Sequence, residues 1–234
     1  MSVLFWTGGD CKSEKTMTAT FEALGQIGLV PVITVNRPQD AVPLVRALLK
    51  GGIACAEITF RTPSAEEAIR RICGECPEML IGAGTVLTVQ QAEQAVRAGA
   101  QYIVSPGFDT LVVDWCQEHH VPVLPGVATP TEINMALARG LTWLKFFPAE
   151  QIGGVHMLKV LYAPYAEVRF IPTGGISSHN LAQYLALPNV VACGGSWMAT
   201  ERMISESKFD EIAHVAGEAR AIVRRVRGEG EGKR

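Results

Sequence analysis

Leu29-Val-Pro-Val-Ile-Thr-Val35 passes through Asn36-Arg37 into Pro38-Gln-Asp-Ala-Val-Pro-Leu-Val-Arg-Ala-Leu-Leu49, and beyond Lys50-Gly51-Gly52 the chain resumes as Ile53-Ala-Cys-Ala-Glu57-Ile-Thr59. The two outer runs are short, apolar and rich in β-branched residues, as strands are. They are continuously apolar, not alternating, which fits parallel strands buried on both faces. The segment between them has a helical period. It opens on proline and closes on paired glycines, following the asymmetry of helix ends. Residues 29–59 therefore read as strand, helix, parallel strand.

The same unit repeats along the chain. Apolar runs fall at 29–35, 53–59, 79–85, 102–105, 121–125, 142–147, 168–173 and 190–193. Their spacing of roughly 20–25 residues is that of a strand plus a helix. Further helices are predicted over 88–98, opened by Thr88 and stopped by Gly99, from Thr129-Pro130-Thr131-Glu132 to Gly140, and over 177–187 and 208–227. An extra helix is predicted over 18–27, before the first strand. Eight units predict an α/β protein of the (β/α)8 TIM-barrel class with an extra N-terminal helix. An open doubly wound sheet is the alternative. Against it, no Gly-x-Gly-x-x-Gly follows the first run, and the Gly82-Ala-Gly84 pair is too short a match. One domain over 17–227 is expected, with 1–16 a disordered leader and the charged, glycine-rich 228–234 a disordered tail.

Composition narrows the function. The 234 residues are 48% hydrophobic and 19% charged, a globular mix that excludes disorder throughout. Twenty-one basic against 23 acidic residues leave a formal charge of −2, so no long-range attraction draws nucleic acid. A local cluster can still hold a small anion. The six cysteines are scattered, and several sit inside apolar runs, which reads as buried hydrophobes in a reducing cytoplasm. Neither a membrane span nor a secretory signal is expected, because no apolar stretch reaches ~18 residues and the first ten lack a basic leader.

In a barrel, chemistry gathers where strands end. Polar residues at the predicted ends are Asn36, Arg37, Glu57, Thr59, Arg61, Thr85, Ser105, Lys145, Thr173 and Ser196. Lys145 carries the most information. It lies in Leu141-Thr-Trp-Leu-Lys145-Phe-Phe-Pro148, and the strand period puts Trp143, Lys145 and Phe147 on one face. With Leu144 and Phe146 packed outward, Lys145 points into the barrel. Desolvation there disfavours the ammonium, and only the neutral amine attacks a carbonyl. The competing reading is a lysine snorkelling from an edge strand. Glu57, isolated in an apolar strand, needs a partner. It shares a face with Thr59 and Arg61, either as a base beside an anion-binding guanidinium or as half of a structural Glu57–Arg61 ion pair.

Two glycine turns follow the last two runs, Pro172-Thr173-Gly174-Gly175-Ile176-Ser177 and Gly194-Gly195-Ser196-Trp197. Many barrels bind phosphate there on backbone N–H groups. Other features read as structural. The five histidines do not have metal-site spacing, so no metal is expected. Cys73-Gly-Glu-Cys76 closes a helix, where the redox form of that motif would open one.

Seven segments in order carry a family resemblance: Glu57-Ile-Thr-Phe-Arg61-Thr, Ile81-Gly-Ala-Gly-Thr85-Val, Ile103-Val-Ser-Pro-Gly107, Leu124-Pro-Gly126, Leu144-Lys145-Phe-Phe-Pro148-Ala-Glu150, Phe170-Ile-Pro-Thr-Gly-Gly-Ile176 and Gly194-Gly-Ser-Trp197. From about residue 29 to 197 the chain resembles the 2-keto-3-deoxy-6-phosphogluconate (KDPG) aldolase / 4-hydroxy-2-oxoglutarate (KHG) aldolase family. The resemblance implies a class I aldolase acting on a phosphorylated 2-keto acid, without metal or cofactor, usually as a homotrimer. Lys145 matches the Schiff-base lysine and Glu57 the general acid/base. Arg61, Thr85 and Pro106 match positions at the pyruvate end, and Phe147 is placed beside them in the substrate site. Thr173, Gly174, Gly175, Gly194, Gly195 and Ser196 match the phosphate-binding turns. Pro148-Ala-Glu150 matches a segment with no assigned role. KDPG, its galactonate epimer and KHG present the same keto-acid end. A phosphosugar isomerase or epimerase on the same barrel is the rival activity, and it needs no interior lysine.

Overall fold

The computed structural model describes residues 11–228. The apolar runs become parallel strands: β1 (Leu29–Ile33), β2 (Cys55–Thr59), β3 (Leu80–Gly84), β4 (Tyr102–Val104), β5 (Val123–Leu124), β6 (Gly126–Val127), β7 (Trp143–Phe146), β8 (Arg169–Pro172) and β9 (Cys193–Gly195). Residues on both faces of β2 are buried, as continuous apolar runs require. The helices are α1 (Cys11–Ile27), α2 (Ala41–Lys50), α3 (Ala65–Glu75), α4 (Val89–Ala98), α5 (Thr110–Glu118), α6 (Pro130–Leu137), α7 (Gly154–Tyr162), α8 (Leu181–Leu185), α9 (Glu201–Ser205) and α10 (Phe209–Arg227). The result is an α/β fold of alternating strands and helices.

The strands form two parallel sheets, ordered β5-β4-β3-β2-β1-β9 and β6-β7-β8. Of the run expected as one strand at 121–125, only Val123–Leu124 is a strand; Pro125, which has no N–H to give a ladder, ends it, and β6 beyond that run begins the second sheet. Pro125 still accepts from the Lys145 amide at 2.9 Å. The expected single ladder is thus replaced by two. Isolated parallel bridges, Phe170 to Val190 and Thr173 to Gly194, connect the second sheet back to the chain around β9.

Side-chain caps start helices directly after strand ends. Thr88 accepts from the Gln91 amide, Asp109 from the Val112 amide and Thr200 from the Met203 amide. Thr129 and Glu132 form a reciprocal capping box at α6. Such caps keep the strand-to-helix loops short and place them at one end of the sheets. The 177–187 segment is helical only over Leu181–Leu185. Asn180 fixes the turn before it, accepting from the Ser177 amide and donating to the Gly175 carbonyl.

The opposite end is covered by α1. This helix starts at Cys11, not at residue 18, so positions 11–16 of the expected leader are helical; 1–10 lie outside the described residues. Phe21 stacks on Trp143 with ring centroids 5.7 Å apart. At the C-terminal end of α1 the Arg227 guanidinium donates to the carbonyls of Gly25 and Gln26, satisfying groups the helix leaves open. Gly228 ends α10 in the left-handed conformation, and the rest of the expected tail, 229–234, also lies outside the described residues. Among the described residues no helix is long and apolar enough to cross a membrane.

Candidate active site

Strand β7 sits between β6 and β8, so Lys145 is not on an edge. Leu144 and Phe146 are fully buried on the other face, and Phe146 meets Phe170 edge-on. Lys145 projects the opposite way, and its Nζ donates to Glu57 Oε1 at 3.1 Å. Both residues are buried, at 4% and 2% exposure. They are 88 residues apart in sequence and meet across the strands. The partner of Glu57 is therefore Lys145, and no Glu57–Arg61 ion pair forms. Lys145 Nζ also lies 5.4 Å from the centre of the Phe147 ring, within cation–π range.

Gly84 makes room for this pairing. In register, Glu57 faces Gly82 and Thr59 faces Gly84 across the β2–β3 ladder. A Cβ on Gly84 would lie 2.0 Å from Glu57 Oε1, inside the carboxylate. A Cβ on Gly82 would enter the Tyr102 ring at 2.2 Å. The short glycine pair set aside as a dinucleotide signal thus makes room for an acid at Gly84 and for a tyrosine ring at Gly82. Gly84→Ala should fold but displace Glu57, lowering kcat by about 10²-fold, the usual scale for a misplacement of roughly 1 Å. Normal kcat in a steady-state assay would show that the carboxylate tolerates the methyl group.

At the C-terminal ends of the strands opens a cleft of about 460 Å³; Lys145 and Glu57 do not line it themselves, and Phe147, whose ring lies beside Lys145 Nζ, does. Arg61, Phe147, Thr173, Gly174, Gly175, Gly195 and Ser196 all line it. Arg61 is exposed and makes no ion pair among the described residues, leaving its guanidinium open to a ligand anion. Gly174 and Gly175 both have left-handed φ, +103° and +77°. The carbonyls of Thr173 and Gly174 accept from the Ala149 and Glu150 amides at 2.8 and 3.1 Å. The Pro148-Ala-Glu150 segment is therefore the prop of this turn. Glu150 in turn accepts from the Tyr184 hydroxyl, and burial together with that carboxylate raises the Tyr184 phenol.

Gly194 and Gly195 do not form a turn, as expected from sequence, but belong to β9, paired with Val30 and Pro31. Close contact is the physical reason for glycine here. A Cβ at 194 would strike Thr173 Oγ1 at 2.2 Å, and one at 195 would strike the Trp197 ring at 1.8 Å. Thr85 and Pro106 lie on neighbouring strand ends and do not line the cleft. Thr85 carries a left-handed φ of +55°, a conformation that costs free energy in a non-glycine residue and clusters at functional sites. The Pro106 carbonyl packs against Gly126, where a Cβ would lie 2.2 Å away.

Sequence reasoning missed Val32, Thr34 and the 199–202 wall of the cleft. Thr34 sits inside an apolar run, where a threonine reads simply as a strand former. Arg37, a candidate at the first strand end, is occupied: it pairs with Asp40 at 2.7 Å and donates to the Ser205 carbonyl. Asn36 donates to Glu201. Cys73 donates to the Gly99 carbonyl, and burial raises its thiol, so it is a poor nucleophile.

A lysine amine held against a carboxylate, both out of water, beside an open cleft on a parallel α/β scaffold defines a class: a Schiff-base aldolase, a carbon–carbon lyase. The chain belongs to the KDPG and KHG aldolase family, whose model matches residues 21–215. It is 52% identical over 207 residues to the 2-dehydro-3-deoxy-phosphogluconate aldolase of Treponema pallidum, covering 88% of this chain and 99% of that one. It is 41% identical over 208 residues to the KHG/KDPG aldolase of Escherichia coli K12, covering 89% and 97%. Among solved structures it resembles the KDPG aldolase of Legionella pneumophila with pyruvate captured as a covalent carbinolamine, with TM-score 0.81, 39% identity and coverage of 83% and 97%.

Proposed function

We propose that this protein cleaves KDPG to pyruvate and glyceraldehyde 3-phosphate, with KHG as a second substrate, and that the two sheets together make a closed (β/α)8 barrel. The link through Pro125 and the bridges Phe170–Val190 and Thr173–Gly194 support that closure. The observation that carries the activity is the buried 3.1 Å contact between Lys145 and Glu57, next to the cleft-lining Phe147.

The chemistry follows from that pair. Transfer of the Lys145 proton to the carboxylate leaves a neutral amine, which attacks C2 of the 2-keto acid. Glu57 gives that proton to the carbinolamine hydroxyl, which leaves as water, and an iminium, an electron sink, remains. Glu57, deprotonated again, takes the C4 hydroxyl proton. The C3–C4 bond then breaks, its electrons pass to the iminium and the aldehyde leaves. Glu57 returns the proton to C3 of the enamine, and hydrolysis releases pyruvate. Arg61 holds the substrate carboxylate, and Thr85 and Pro106 border that end. Phe147 walls the iminium. Gly174 and Gly175 with Ser196 receive the distal phosphate, whose binding orients the reacting carbons from a distance. Gly194 and Gly195 contribute by leaving space. The active assembly is a homotrimer in the cytoplasm.

A coupled assay for pyruvate release across KDPG, its galactonate epimer and KHG tests this reading. The highest kcat/KM is expected for KDPG. Strong preference for unphosphorylated KHG would overturn the phosphate assignment. A structure described as native KDPGal, 28% identical with TM-score 0.76, makes the galactonate epimer the second substrate to compare. A phosphosugar isomerase or epimerase would release no pyruvate at all.

A further inference from the structure

We infer that Thr34 is a specificity-determining residue that accepts a hydrogen bond from the C5 hydroxyl of the substrate. The inference rests on the six-carbon phosphorylated substrate proposed above. It begins from proton accounting on two threonines. Thr59 Oγ1 lies 3.2 Å from the Ile33 carbonyl, to which only a hydroxyl proton can bond, and Thr59 has just one. Thr34 Oγ1 lies 3.1 Å from Thr59 Oγ1. With the Thr59 proton committed to Ile33, Thr34 must donate its own proton to Thr59. Its remaining lone pairs are then all it has to offer a ligand. Thr34 lines the cleft and is half-buried, so those lone pairs face the substrate.

Position along the strand says which part of the substrate they meet. Val32 is in register with Glu57, and Thr34 stands two residues further toward the cleft mouth. That is a rise of roughly 6–7 Å above the rung of the acid/base, on the same face. A substrate joined to Lys145, with its C4 hydroxyl at Glu57, extends past this point toward the glycine turn. In KDPG the next carbon, C5, carries a hydroxyl, a donor that suits an acceptor-only oxygen. In KHG the same carbon is a carboxylate, whose oxygens would meet the Thr34 lone pairs without a proton between them. Thr34 therefore favours a hydroxylated aldehyde half over an acidic one.

Thr34→Val removes the oxygen and keeps the shape. The wild type is first measured on KDPG and KHG. In Thr34→Val, kcat/KM for KDPG should fall by about tenfold, the scale of one hydrogen bond, while that for KHG stays level or rises. Borohydride trapping of pyruvate should be unchanged, because the keto-acid end does not reach Thr34. Thr34→Ser, which restores the hydroxyl, should recover the KDPG preference. Thr34→Ala carries the same expectation as Thr34→Val should the latter trap pyruvate poorly. An equal fall on both substrates, or no fall on KDPG, overturns the role of Thr34 and leaves the proposed activity standing. A wild type inactive on KDPG overturns both.

Discussion

Lys145→Ala is expected to lose all borohydride-dependent labelling by pyruvate and to lower aldol cleavage by about 10⁴-fold or more, as removal of a covalent nucleophile does. The expectation comes from the state of the other lysines as much as from Lys145. Lys50 is exposed and hydrogen-bonded to Asp210 at 2.8 Å. Lys208 is exposed as well, and its hydrogen bond to Glu206 raises its pKa, so it keeps its proton and is a poor nucleophile. Lys145 alone, among the lysines whose surroundings are described, is buried against a group that can take the proton away. Labelling that persists in Lys145→Ala, located by peptide mass mapping, would identify a different nucleophile. Stability needs a control. Removing one partner of a buried ion pair leaves the other uncompensated, at a cost of about 3–5 kcal/mol. Lys145→Met fills the space of the side chain without its amine, and Lys145→Met combined with Glu57→Gln removes both charges. If all three variants unfold cooperatively and none is labelled, loss of the amine and not loss of the fold is the cause.

The sequence made the succession of strands and helices and the buried lysine legible because both depend on local pattern. A lysine between Trp143-Leu144 and Phe146-Phe147, once its strand is not an edge, is satisfied by a partner inside the fold. What that partner was could not be read locally. Glu57 has Arg61 two strand positions further along the same face, whereas Lys145 lies 88 residues away and arrives only when the strands assemble. The same limit hid the reasons for glycine. At 194 and 195 a turn is the local reading, but the close approach of Thr173 and Trp197 is tertiary. The strand Gly126–Val127 falls outside the apolar run that ends at Pro125, and only its pairing with β7 makes it a strand. At the N-terminus, residues 11–16 carry no strong helix signal of their own, yet they continue a helix anchored further on by Phe21 against Trp143. For Glu57, for the glycines and for residues 11–16 the missing term was a contact between residues distant in sequence.

Glu57→Gln separates the two halves of the proposed mechanism. Glutamine has the same shape, and its Oε1 can still accept from Lys145, so the packing against Gly84 is kept. A neutral partner no longer stabilises the ammonium, so the amine can still form the iminium. Pyruvate labelling by borohydride should therefore persist. The amide cannot take the C4 hydroxyl proton or return one to C3, and turnover should fall by about 10²–10⁴-fold, the contribution of a positioned general base. The discriminating observation is the ratio of the two readouts in one preparation. Retained trapping with lost turnover assigns the proton transfers to Glu57. Loss of both in a folded variant would mean that the proton transfer from Lys145 to Glu57 is indispensable and that no other base replaces it. Near-normal turnover would remove Glu57 from the mechanism, and the 3.1 Å contact would then be only a buried structural pair. Gly84→Ala adds an independent view of the same carboxylate. It leaves the charge in place and moves it, so kcat should fall while the amine keeps its partner type, a pattern that a purely electrostatic role for Glu57 would not produce.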